Sequence, residues 1–84
     1  PRDGSMAQLS EAVAASDVEK AFRAVHTLKG ISLNLSLKEL AAACSSMTEA
    51  LRGKTELPAQ TQSLYDAVSR EYARAIAALE QLEA

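Results

Sequence analysis

Val18-Glu19-Lys20-Ala21-Phe22-Arg23-Ala24-Val25-His26-Thr27-Leu28-Lys29-Gly30-Ile31-Ser32-Leu33-Asn34-Leu35 is the stretch that decides the fold. Within it Val18, Ala21, Val25, Leu28, Ser32 and Leu35 recur at steps of three and four, the pattern of a helix that buries one stripe. Just ahead, Ser16-Asp17-Val18-Glu19 has the form of a capping box. There the Ser16 hydroxyl and the Glu19 carboxylate satisfy amide donors left free at a helix start. The spacing predicts a helix from this box to about Leu35.

Ser36-Leu37-Lys38-Glu39 repeats the box and opens a third helix, whose stripe of Leu37, Leu40, Cys44, Met47 and Leu51 ends before Gly53. Upstream, Met6, Leu9 and Val13 mark a short amphipathic helix from Met6 to Ala15 that covers one end of a bundle. Gly53 to Leu57 makes the longest break, and Pro58 suits the first turn of a last helix, where its missing amide proton has no partner to lose. Leu64, Val68, Tyr72, Ala75, Ile76, Leu79 and Leu82 give that helix its inward face. Pro1 to Ser5 carries no apolar periodicity and reads as an expression remnant, so the expected domain spans residues 6–84. The expected fold is all-α, an up-down bundle of about four helices, one short and N-terminal, three longer.

Composition narrows the function. A chain of 84 residues, 48% hydrophobic, can bury a single core without metals or disulfides. A net charge of -2 gives no basic face for nucleic acid. Cys44 is alone, which excludes an internal disulfide or a thiolate metal site and fits a cytoplasmic setting. No run approaches the roughly 20 apolar residues of a membrane span, so no membrane contact by this domain is expected.

Chemistry concentrates in His26-Thr27-Leu28-Lys29-Gly30. At 100° per residue His26 lies about 140° from the middle of the Val25 and Leu28 stripe and faces solvent. Lys29 falls about 60° to one side, Gly30 about 40° to the other, and Leu33 and Phe22 within about 40°, all on one exposed patch. An imidazole in water has a pKa of about 6.5, so near neutral pH it offers a free lone pair to phosphorus. His26 is the candidate nucleophile, and Lys29, one turn along, can set positive charge against phosphoryl oxygens. Glycine inside a helix costs roughly 1 kcal/mol relative to alanine, and steric clearance for an incoming phosphoryl group gives Gly30 a reason to be there. Phe22, Arg23 and Leu33 are candidate partner-binding residues, weighed against a core role for Phe22 and simple solvation for Arg23. Cys44 falls in a buried stripe and reads as packing.

His26-Thr27-Leu28-Lys29-Gly30, with Leu35 and Leu40 downstream, closely resembles the signature of histidine-containing phosphotransfer (HPt) domains. Leu9, Asp17, Phe22, Ala43, Cys44 and Met47 also sit where that family has similar residues. The resemblance implies a monomeric bundle that accepts a phosphoryl group on His26 from the aspartate of one response-regulator receiver domain and passes it to another. It also implies that the domain binds no cofactor itself, that Mg2+ belongs to the receiver, and that the domain can work in cis to a hybrid sensor kinase. Two departures stand out: Ser36 where members commonly have glycine, and Thr48 where many have glutamate.

Four other functions compete. An autophosphorylating kinase fails, because the chain has no glycine-rich nucleotide loop and no length for an ATP-binding domain. The histidine-bearing dimerisation region of a sensor kinase usually continues with an acidic residue and a proline, where this chain has Thr27 and Lys29. A docking scaffold that transfers nothing would be expected to lose His26 or Lys29, and both are present. A metal or nucleophilic hydrolase fails for want of an acidic pair or further histidines.

Overall fold

A computed structural model describes residues 4–83, with side chains through Gln81. It contains α1 (Ser5–Ala14), α2 (Val18–Asn34), α3 (Lys38–Leu51) and α4 (Thr61–Glu83), and no strand among the described residues. The expected all-α bundle is the observed fold. Each helix packs on the next in sequence, α1 on α2, α2 on α3 and α3 on α4. The short connections turn consecutive helices antiparallel. The 23-residue α4 alone is about 35 Å long at 1.5 Å per residue, which accounts for most of the 43 Å long axis.

Leu9 and Ala12 of α1 meet Ala21, Ala24, Val25 and Leu28 of α2, and Leu40, Cys44, Met47, Leu51 and Val68 complete the core. Small side chains at 12, 21 and 24 let α1 approach α2 closely. Ala12 and Ala24 are additions to the expected stripes, while Leu35, expected in the stripe, is 54% exposed. Leu35 is the C-cap of α2, with φ -94° and ψ 4°, so the chain has already left the helix there and the 100° arithmetic no longer applies. On α4 the expected inward face holds, with Val68 fully buried and Leu64, Tyr72 and Ala75 half-buried against the core. The Leu82 side chain, and Pro1 to Asp3 of the expected remnant, lie outside the described residues.

Neither expected capping box forms, and each N-cap lies one residue further along, at Asp17 and Leu37. Ser16 and Ser36 have φ of 57° and 60°, the left-handed conformation. After α1, the Ser16 N–H donates to Val13 O at 3.1 Å and the Asp17 N–H to Ala12 O at 2.8 Å. After α2, the Ser36 N–H donates to Leu33 O at 3.1 Å and the Leu37 N–H to Ser32 O at 2.8 Å. These are two Schellman motifs, so each serine closes the helix before it and cannot cap the one after it. Asp17 takes over as N-cap of α2, its Oδ1 accepting from the Lys20 N–H at 3.1 Å. At α3 the N-cap is Leu37, which has no acceptor atom with which to cap the helix and instead packs its side chain against the core.

Two further boundaries differ from expectation. Ser5, assigned to the remnant, is the first residue of α1 and is buried, so the helical fold starts one residue before Met6. Pro58 precedes α4: its carbonyl accepts from the Thr61 N–H at 3.0 Å in a turn, and the helix begins at Thr61. Between the two helices, Arg52 (φ -59°, ψ 124°) and Gly53 (φ 72°) form a type II turn closed by the Lys54 N–H on Leu51 O at 3.1 Å. That turn needs a positive φ at its third residue, which glycine supplies without strain.

Candidate functional site

The capped start at Asp17 and the Schellman end at Ser36 fix the rotation of α2, and Val25 and Leu28, both buried, lock its inner face. His26 is therefore held on the outside, exposed, midway along the helix. One turn earlier the half-buried Phe22 stacks on it, with ring centroids 6.0 Å apart and 29° between the planes. Phe22 also packs against the core, so its core and surface roles coexist in one side chain. Lys29 is half-buried on the same side of the helix.

Gly30 is exposed, has an ordinary helical φ, and a Cβ built on it would meet nothing within 4 Å. Neither the backbone nor packing within the molecule asks for glycine there. Leu33, 60% exposed, extends the patch along α2. Arg23 lies on the other side, where its Nη2 is 3.4 Å from Glu19 Oε1 with both side chains largely in solvent. That is the solvated arrangement, and the structure does not bring Arg23 to the Phe22 side of His26.

The structure adds two residues that sequence reasoning did not place at the site, Arg52 and Glu49. Arg52, at the end of α3, sets its Cζ 5.5 Å from the Phe22 ring centroid. Glu49, one turn earlier, accepts two bonds from it, from Nε at 3.2 Å and Nη2 at 2.9 Å. The Arg52 hydrogen bonds and charge hold the Glu49 carboxyl below the usual range, and the charge of Lys29 adds to the effect from α2. Opposite charges three apart on a helix were the available signal, but that pattern is common and says nothing of which helix lies alongside. Only the packing of α3 on α2 puts the pair beside Phe22 and Lys29.

The patch can therefore offer an unobstructed imidazole, a neighbouring ammonium, open helix surface and an apolar rim. Among the described residues no three His, Cys, Asp or Glu side chains gather where they could hold a metal ion, and no helix is long and apolar enough to cross a membrane. Cys44 is fully buried, and burial pushes its thiol up to about 11 against the lowering effect of a hydrogen bond with Ser32. It is a packing residue, unsuited to thiolate chemistry.

Comparison with known proteins gives one family. No curated protein and no solved structure matches the chain. The family model described as Hpt domain matches residues 3–84. This chain belongs to the Hpt domain family, whose role is histidine phosphotransfer in phosphorelays with response-regulator receivers.

Proposed function

We propose that His26 is the phosphoryl-accepting residue of a multistep relay, taking the group from the aspartate of one receiver and giving it to another. The observation that carries this reading is the exposed imidazole beside Lys29 and the open surface at Gly30. In the accepting step a ring nitrogen of neutral His26 forms a P–N bond as the P–O bond to the aspartyl carboxylate breaks. The carboxylate leaves with the bonding pair, and the imidazolium formed loses its remaining ring proton to water. The donating step runs the same bonds in reverse toward a second carboxylate.

Lys29 sets its ammonium against the phosphoryl oxygens and stabilises the charged adduct. Gly30 leaves room for the receiver's active site to close over the imidazole, and Phe22 and Leu33 supply apolar contact to the receiver. The domain itself binds no cofactor; a magnesium ion held by the receiver would supply the remaining charge stabilisation of an in-line transfer. The domain works as a monomer in the cytoplasm, free or carried in cis by a hybrid sensor kinase.

The test is transfer from a receiver. A panel of receiver domains is loaded with radiolabelled phosphoryl groups and mixed with the chain or its His26→Gln variant. Label should move to the native chain from at least one receiver and never to the variant. Equal labelling of the variant would contradict the assignment.

A further inference from the structure

Reactive histidines are commonly oriented by a hydrogen bond from the second ring nitrogen to a carboxylate or carbonyl. His26 makes no side-chain hydrogen bond among the described residues. What limits its ring is aromatic: Phe22, stacked at 6.0 Å. Phe22 in turn carries the Arg52 guanidinium at 5.5 Å, and Glu49 fixes the plane of that guanidinium through two hydrogen bonds. A chain of contacts thus runs from Glu49 through Arg52 and Phe22 to the imidazole, crossing from α3 to α2.

We propose that Arg52 is a positioning residue for phosphoryl transfer: from the end of α3 it pins Phe22, and through Phe22 it sets the orientation of the His26 imidazole. The inference rests on the reading of His26 as phosphoryl acceptor. Stability alone gives little reason for the arrangement, because the Arg52 and Glu49 side chains are 55% and 59% exposed and such pairs contribute little to folding. The Arg23 and Glu19 pair, similarly exposed, touches no ring. Orientation, by contrast, bears directly on rate, since an attacking nitrogen must lie in line with the bond that breaks. Arg52 does this from a helix the histidine motif does not include, which couples reactivity at His26 to the seating of α3 on α2.

Two readouts test it, one independent of activity. In Arg52→Gln and in Phe22→Leu, the His26 Hδ2 and Hε1 resonances should lose the ring-current shift that Phe22 imposes, with helical circular dichroism unchanged. Phosphorylation by phosphoramidate, which needs no receiver docking, should slow about threefold in Arg52→Gln, the scale of an exposed cation–π contact. Phe22→Leu should slow at least as much, and the double variant should be no slower than Phe22→Leu, because Arg52 acts through that ring. Unchanged His26 resonances in Arg52→Gln, an unchanged rate, or a double variant slowed by the product of the single effects would each overturn the proposal. A native chain that takes no phosphoryl group at His26 would overturn the functional reading instead, and the resonances would still decide whether Arg52 positions the ring.

Discussion

Gly30 weakens the helix it sits in and receives nothing from the fold in exchange. A Cβ there meets open space, and the backbone is ordinary helix, so Gly30→Ala should raise the unfolding free energy by about 1 kcal/mol in a urea titration. A longer side chain should show why glycine is there: Gly30→Gln should slow transfer from a loaded receiver by about tenfold, on the order of 1.4 kcal/mol of barrier, and an unchanged rate would contradict the clearance argument. Lys29→Ala should leave acceptance possible but shorten the half-life of the phosphorylated chain, measured as phosphoryl loss over time by mass spectrometry. A half-life equal to that of the native chain would remove Lys29 from the chemistry. The exposure of His26 was legible because a regular helix rotates 100° per residue and the Val25 and Leu28 stripe is unambiguous. Arg52 was not, because its place beside Phe22 depends on how two helices pack, and no local pattern encodes that.

Among the elements, the turns depart furthest from a reading by local pattern. Ser16 and Ser36 each sit three residues before a glutamate, as in a capping box, yet the backbone spends both in left-handed conformations that end the preceding helix. A three-residue connection leaves no room for one serine to do both tasks, since a cap requires extended φ and ψ and a Schellman C′ residue requires positive φ. The glycine common in the family after the Leu35 position suits this geometry, and Ser36 adopts it with strain. Ser36→Gly should therefore stabilise the chain by about 1 kcal/mol, read as a higher urea midpoint with an unchanged slope. A lower midpoint would mean that the serine side chain contributes something the left-handed backbone does not explain. Helix existence and order were legible from apolar periodicity. The start of α4 was not, because Pro58 is equally at home in a helix's first turn and in the tight turn that precedes Thr61 here.

At the scale of the whole molecule, the bundle is a series of pairwise packings around one core, of which the fully buried Cys44 is part. Burial raises that thiol to about 11, so the unfolded chain, whose thiol titrates near 9.0, releases its proton first as pH rises. The stability tied to the protonated thiol is complete below about pH 9 and is lost between there and about pH 11, a change of about 2–3 kcal/mol at most. Urea midpoints at pH 8 and pH 10.5 should fall more steeply for the native chain than for Cys44→Ser, and parallel falls would show that the thiol stays accessible. None of this touches His26, which the core supports from beneath and leaves open above. The measurement that bears most directly on the central claim is the intact mass of the chain after incubation with phosphoramidate, before and after mild acid, beside His26→Gln. One phosphoryl gain, lost in acid and absent from the variant, is the predicted result; no gain in the native chain, or an equal gain in the variant, would contradict it.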